Sequence, residues 1–90
     1  MTYYIAIVHK DEDSAFGVTF PDLPGCFSAA DEERGLLPNA IEAIALWAED
    51  DTLPAPSSIE AIRSREDVAH ELRTGAFLLA VPAPELANAA

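Results

Sequence analysis

The sequence predicts a small α+β fold, in which a short sheet carries one long helix and a shorter second helical segment, and three observations support it. Residues 2–9, TYYIAIVH, are β-branched or aromatic at most positions and apolar on both alternating faces, as in a strand covered on both sides or lying at an oligomer contact. Residues 16–21, FGVTFP, alternate large apolar with small side chains, as in a strand with one buried face. From Leu37 onward the apolar positions recur at the i, i+3, i+4, i+7 spacing of a helix.

The first three strands are predicted to form an antiparallel meander. The polar residues 10–15, KDEDSA, make a turn that pairs the first two strands as a hairpin. Pro21 and Pro24 have no amide donor, so the stretch around them cannot continue a ladder and must turn the chain. The third strand then follows over residues 26–30, CFSAA.

The long helix is predicted to end near Asp50, but its start has two solutions. Asp31 is a good N-cap, yet Gly35 and Pro38 would then fall in the first two turns. Either the helix begins near Leu37 with a proline in its first turn, or its first turn is irregular, and we favour the later start.

A second helical segment and a last strand complete the predicted fold. Ser57 and Glu60 have the spacing of a capping box that opens a short helix. Residues 76–82, AFLLAVP, then predict a fourth strand. Because a helical crossover lets two strands run the same way, this strand is expected to lie parallel beside the first. The domain is assigned to residues 1–82 and a tail to residues 83–90.

Composition narrows the class of protein. Sixteen acidic against five basic residues give a formal net charge of −11, which favours a basic protein partner and disfavours direct nucleic-acid binding. A single cysteine excludes an intramolecular disulfide, and the N-terminal residues lack the pattern of a signal peptide. No apolar run approaches the roughly 20 residues of a membrane helix. We therefore expect a cytoplasmic protein with no membrane span.

Residues 3–33 closely resemble the N-terminal domain of the HicB family of antitoxins. The resemblance rests on a short aromatic strand, an acidic turn and the FPDLPGC corner at residues 20–26, and it extends over roughly residues 3–81. It implies a partial ribonuclease-H-like fold with strand order 3-2-1-4, and a partner that is a small basic ribonuclease toxin of the HicA type. Members of the family commonly carry a C-terminal DNA-binding segment, which this sequence is not expected to contain.

No catalytic, metal-binding or cofactor-binding residue is assigned. Ribonuclease-H chemistry needs carboxylates on divalent metal, with a key acid on the first strand, and TYYIAIVH has none. His9 and His70 lack the spacing of a metal site. Cys26 has no base placed beside it, so it is interpreted as a small buried residue beneath the corner. Trp47 is interpreted as core in preference to a partner contact.

The expected partner-binding surface is a negative rim with apolar contacts beside it. Charge of this kind raises association rates, whereas buried apolar contacts supply binding strength. The predicted residues are Asp11, Glu12 and Asp13 on the hairpin, Asp22 and Leu23 on the corner, Phe27 after it, and Asp31, Glu32 and Glu33 before the helix.

The leading interpretation is an antitoxin that binds and occludes its toxin without doing chemistry. Two alternatives stay open. One is a standalone oligomeric interaction module without a toxin. A homo-oligomer is also expected beside the toxin partner, since the edge of a small sheet often pairs with another copy. The other is a residual nuclease that would depend on Asp11 or Asp13.

Overall fold

Four strands and three helices make up residues 2–84, the part of the chain that the computed structural model describes. Residue 1 and residues 85–90, which include most of the predicted tail, lie outside it. The strands and helices are β1 (Tyr3–Lys10), β2 (Phe16–Thr19), β3 (Phe27–Ala30), α1 (Leu36–Trp47), α2 (Ile59–Ser64), α3 (Glu66–Arg73) and β4 (Phe77–Pro82).

The sheet has the order β3-β2-β1-β4, as the family resemblance implied, and the meander of the first three strands is confirmed. The polar turn joins β1 to β2 with Lys10 opposite Phe16. Phe16 in turn lies opposite Ala30 of β3. All four strands were predicted at nearly these positions, because their apolar patterns and the turn residues between them are local signals.

The predicted direction of the last strand was wrong, because β4 runs antiparallel to β1, with Tyr4 opposite Val81. The prediction assumed that the chain runs along the sheet only once between β3 and β4. That would return it to the end of the sheet where β1 begins, so that β4 would run parallel to β1. In the structure α1 makes that passage, and α2 with α3 then carries the chain back. The chain therefore enters β4 beside Val8, near the end of β1.

Helix α1 begins at Leu36, so Pro38 falls in its first turn, where its missing amide donor costs no helical hydrogen bond. A single 3₁₀ turn, Glu33–Gly35, precedes it. Helix α2 is capped by Ser58, whose Oγ accepts a hydrogen bond from the Ala61 amide at 3.1 Å. The cap was predicted one residue earlier.

Strand β1 is the centre of two apolar clusters, one on each face of the sheet. Its even-numbered residues lie in the larger cluster, under α1. That cluster contains Tyr4, Ala6, Val8, Val18, Phe20, Leu23, Cys26, Ala30, Leu36, Ala40, Ile44 and Val81. Its odd-numbered residues Ile5 and Ile7 pack on the other face against Ile62 of α2 and Val68 of α3. The sequence prediction of a first strand covered on both sides is thus confirmed.

Candidate protein-binding surface

The FPDLPGC corner is a rigid structural junction. The Leu23 amide donates to the Phe20 carbonyl at 3.1 Å, and the Cys26 amide donates to the Leu23 carbonyl at 3.0 Å. Gly25 has φ +82°, a left-handed conformation that costs glycine no steric penalty. These two turns point the Leu23 side chain into the core.

Side chains fasten this corner to the connection that follows α1. Both carboxylate oxygens of Asp22 accept hydrogen bonds from Ser57, one from its amide at 2.7 Å and one from its hydroxyl at 2.8 Å. The Trp47 indole donates to the Pro24 carbonyl at 2.8 Å, and the Tyr4 hydroxyl donates to the Pro54 carbonyl. The corner therefore holds the sheet, α1 and the proline connection together.

This geometry removes Leu23 from the predicted surface and gives Asp22 a partner within the chain. Leu23 is fully buried and has no area to offer a partner. The Asp22 carboxylate is occupied by Ser57. Cys26 is buried as predicted, with Sγ 3.5 Å from the Ala43 carbonyl, and burial raises the pKa of its thiol. A neutral thiol in such a position is a packing group, not a nucleophile.

The other six predicted acids come together at one end of the sheet. Residues 11–13 follow Lys10 at the end of β1, and residues 31–33 follow Ala30 at the end of β3. Phe16 of β2 pairs with both of those strand ends, so the two acidic triplets flank it. All six acids are exposed. We call residues 11–13 and 31–33 the acidic end; Asp22 lies at the opposite end of the sheet.

Two basic side chains lie within this region. Arg34 Nε is 2.8 Å from a Glu32 carboxylate oxygen, in a pair that is largely exposed. The Lys10 ammonium stands 5.7 Å from the centre of the Phe16 ring. Since two cations face six carboxylates, the acidic end keeps a net negative charge.

Phe27 lies on a part of the sheet that the second layer of helices leaves uncovered. Among the described residues, the cluster under α2 and α3 contains side chains of β1 and β4 but none of β2 or β3. On that face Phe27 lies opposite Thr19, and Ala29 lies opposite Gly17. We call these four residues the open half-face. Phe27 is 67% exposed, which is unusual for a side chain of its size beside a folded core.

His9 marks the border between the covered and the open halves of this face. It lies opposite Gly17, and a Cβ at that glycine would be 3.1 Å from His9 Nε2. On the other side, His9 Nδ1 is 3.6 Å from a Glu71 carboxylate oxygen of α3. The imidazole thus separates the helical layer from the small residues of the open half-face.

An open groove of about 550 Å³ runs between β3 and the outer side of α1, and we call it the β3–α1 groove. It is lined by Gly25, Cys26, Phe27, Ser28, Ala29, Asn39, Glu42, Ala43, Leu46 and Trp47. Leu46 is 59% exposed there. The sequence interpretation missed Asn39, Glu42 and Leu46, although their spacing of three and four residues places them on one helix face.

Neither a metal centre nor a membrane-spanning helix emerges from residues 2–84. No three His, Cys, Asp or Glu side chains in that range are grouped closely enough to hold one ion. None of the helices there combines the length and apolar character that crossing a membrane requires.

The fold is that of a small α+β domain. Four antiparallel strands in the order 3-2-1-4, with one long helix and short helices, also form the N-terminal domains of HicB antitoxins. The chain belongs to the family described as the HicB-like antitoxin of bacterial toxin–antitoxin systems, whose family model matches residues 4–79.

Individual relatives agree with this assignment. The crystal structure of the Burkholderia pseudomallei antitoxin HicB is 28% identical, with a TM-score of 0.76 over 100% of this chain and 75% of that one. A HicA3–HicB3 toxin–antitoxin complex contains a chain that is 27% identical, with a TM-score of 0.71 over 93% of this chain and 100% of that one. UPF0150 protein Ta0767 of Thermoplasma acidophilum is 41% identical over 46 residues, which are 51% of this chain and 67% of that protein.

Proposed function

We propose that this protein neutralises a small basic ribonuclease toxin of the HicA type by binding it and covering its RNA-binding face, without catalysing a reaction itself. The observation that carries the proposal is the surface of β3, which has the exposed Phe27 at its start and the exposed acids 31–33 directly after its end. Membership of the antitoxin family and the similarity to a HicA3–HicB3 complex support it.

The two parts of this surface have different tasks. Exposed carboxylates attract a cationic partner from a distance and raise the association rate, and salt screens that attraction. Phe27 supplies apolar area that a partner can bury. Of the residues predicted from the sequence, the proposal retains Asp11, Glu12, Asp13, Phe27, Asp31, Glu32 and Glu33. Asp22 and Leu23 instead hold the frame.

The test is co-production with the small basic proteins encoded beside this gene, followed by binding and RNA-cleavage measurements. We expect one of them to form a complex whose association rate falls as salt rises, and to lose its ribonuclease activity in that complex. If none binds, or if the bound ribonuclease still cleaves RNA at its full rate, the proposal is wrong.

Two charge-matched triple variants locate the surface. Replacing residues 11–13 with Asn, Gln and Asn removes three charges at the acidic end. Replacing Glu60, Glu66 and Asp67 with Gln, Gln and Asn removes three exposed charges from α2 and α3, the layer that covers β1 and β4. Since both variants change the net charge equally, only the first should lower the association rate markedly, by about tenfold at low salt. Equal effects would show that net charge alone matters.

An oligomer that acts without a toxin is the rival proposal, and an exposed edge of the sheet favours self-association. Sedimentation velocity of the isolated protein at low and high salt tests self-association, which a net charge of −11 opposes most strongly at low salt. Failure of every toxin to bind would then favour the rival. We also propose a cytoplasmic location and no direct binding of nucleic acid, which a filter-binding assay on RNA and DNA checks.

A further inference from the structure

We propose that β3 accepts an extended basic segment of the partner as a fifth strand of the sheet, and that the β3–α1 groove receives apolar side chains of that segment. The inference rests on the proposed function, since it names the part of the surface that a toxin would use and the kind of segment that fits it.

The hydrogen-bond pattern shows which backbone groups of β3 are free. The Ala83 amide donates to the Thr2 carbonyl. Because backbone groups alternate in direction along a strand, Tyr4, Ala6 and Val8 of β1 also direct their backbone groups toward β4. The odd-numbered residues of β1 hydrogen-bond with Gly17 and Thr19 of β2. The even-numbered residues of β2 therefore face β3, where they hydrogen-bond with Ser28 and Ala30. The backbone groups of Phe27 and Ala29 therefore point away from the sheet.

A side chain confirms this direction independently. The Ala29 carbonyl accepts a hydrogen bond at 2.8 Å from the Asn39 side-chain amide of α1, which lies outside the sheet. That contact occupies one of the four outward groups of Phe27 and Ala29. Within residues 2–84, the Phe27 amide, the Phe27 carbonyl and the Ala29 amide remain for a fifth strand.

The opposite edge of the sheet suits a fifth strand less well. By the same alternation, Pro82 is one of the outward residues of β4, and it has no amide to donate. Proline at this position is a known way to protect an edge strand from further pairing. This difference favours β3.

A strand added to β3 would engage both apolar surfaces at once. Successive side chains of a strand point to opposite faces, so one set would enter the β3–α1 groove beside Leu46 and Trp47, and the other set would lie beside Phe27. Glu42 lines the groove and offers a carboxylate to a basic side chain of the segment. An alternation of apolar and basic residues matches this surface.

Charge decides between a basic segment and a second copy of the chain. The acids at 31–33 follow β3 directly, and those at 49–51 follow α1 closely. An antiparallel β3 from a second copy would bring its own residues 31–33 toward the far end of the groove, where residues 49–51 begin. Like charges would then face each other, whereas a basic segment is attracted to Glu42 in the groove and to the acids that follow β3 and α1.

The first experiment uses the complex of this protein with its basic ribonuclease. Leu46→Ser alters the groove, and Leu37→Ser is the matched control, since Leu37 lies on the same helix, is 39% exposed and does not line the groove. We expect Leu46→Ser to raise the Kd about tenfold, which corresponds to about 1.4 kcal/mol, and Leu37→Ser to leave it within about twofold.

Ala29→Pro tests the strand addition itself. It removes an amide that points outward and is not needed for pairing with β2, so the variant should keep its fold, as circular dichroism and thermal unfolding check. We expect it to raise the Kd about tenfold as well. If wild-type protein binds the ribonuclease while both Leu46→Ser and Ala29→Pro bind equally well, the proposed function stands and this inference is wrong.

A second measurement does not depend on the toxin. Trp47 is the single tryptophan of the chain, so its fluorescence reports on the groove. A blocked six-residue peptide that alternates lysine with valine should change this fluorescence saturably, and the same peptide with glutamate in place of lysine should not. Equal responses to the two peptides, or no response to either, would contradict a site for a basic strand even if no toxin complex forms.

Discussion

The two halves of the sheet are built for different purposes. Strands β1 and β4 are covered on both faces, by α1 on one side and by α2 and α3 on the other. Strands β2 and β3 are covered by α1 alone among the described elements, and they leave Phe27 exposed on the opposite face. The β1–β4 half therefore buries side chains on two faces, whereas the β2–β3 half buries only the face under α1 and keeps exposed apolar surface on the other face.

The difference originates in the side chains of each strand. β1 has Ile5 and Ile7 on the face where β2 has Gly17 and Thr19. Large β-branched side chains attract a helical layer because burying them is favourable, by roughly 25 cal/mol per Å² of apolar surface. A glycine and a threonine offer little area for such a layer, so α2 and α3 cover β1 and β4 and stop at His9.

The largest effect expected from this comparison is on stability. Ile62→Ala empties a fully buried site under the covered half and should lower the free energy of unfolding by about 3 kcal/mol. Phe27→Ala, on the open half-face, should change it by less than about 0.5 kcal/mol, because the ring is largely exposed already. Urea unfolding followed by circular dichroism measures both.

A matched control for the first variant lies one helical turn away. Ile59→Ala removes the same atoms from the same helix at a side chain that is 44% exposed, and it should cost well under half as much as Ile62→Ala. If Phe27→Ala proves as destabilising as Ile62→Ala, the open half-face belongs to the folding core and the division of the sheet into two halves is mistaken.

The next effect concerns the corner between β2 and β3, which Asp22 fastens to the connection before α2. Asp22→Ala leaves the Ser57 amide and hydroxyl without their acceptor, and hydrogen bonds to a charged group are worth about 1.5–3 kcal/mol. We expect a loss of about 2 kcal/mol in the free energy of unfolding, with toxin affinity unchanged where the variant is fully folded. Ser57→Ala keeps the amide contact and should cost about half as much. A strong loss of affinity in folded Asp22→Ala protein would return this residue to the binding surface.

The sequence predicted the individual strands and helices better than their arrangement in the sheet. The alternation in β2, the apolar faces of β1 and the proline corner are local patterns, and each predicted element is present. The predicted direction of β4 was wrong, because it depends on how many times the chain runs along the sheet before β4. The capping residues of a short helix such as α2 do not reveal that number.

At the candidate site, the sequence likewise did not predict which apolar side chains near the corner are buried. Leu23 and Phe27 are both large, apolar and close to the corner, and nothing in their own sequence distinguishes a fully buried side chain from one that is 67% exposed. The two turns at Leu23 and Cys26 make that difference. Leu46 was missed for a related reason, because a groove forms only where β3 and α1 meet.

The pH dependence of stability tests the larger cluster, on the α1 face. Burial raises the pKa of the Cys26 thiol, and burial together with nearby Asp22 raises the pKa of the Tyr4 hydroxyl. Below the ordinary thiol value of 9.0 both groups are neutral in the folded and unfolded chains, so their full contribution is present. Above that pH the unfolded chain loses protons that the folded chain retains, and the free energy of unfolding should fall.

Urea midpoints between pH 7 and pH 10.5 measure this decline. Cys26→Ala removes the thiol, so its stability should fall less steeply than that of wild-type protein just above pH 9.0, although it starts from a lower value because of the void left behind. Identical slopes for the two proteins would mean that the thiol titrates alike in the folded and unfolded chains, contrary to its burial.

The smallest effect is expected at Asn39, where the open edge of β3 meets α1. Asn39→Ala removes the hydrogen bond to the Ala29 carbonyl, but this contact is exposed and water replaces the lost donor, so stability should fall by only about 0.5 kcal/mol. The same change frees the fourth outward group of β3 for a partner strand. If the edge is a docking site, the variant should therefore bind the ribonuclease at least as tightly as wild-type protein does, despite its lower stability. A variant with wild-type stability and weaker binding would mean instead that Asn39 contacts the partner directly, and that its bond to the edge of β3 is not what governs access to the sheet.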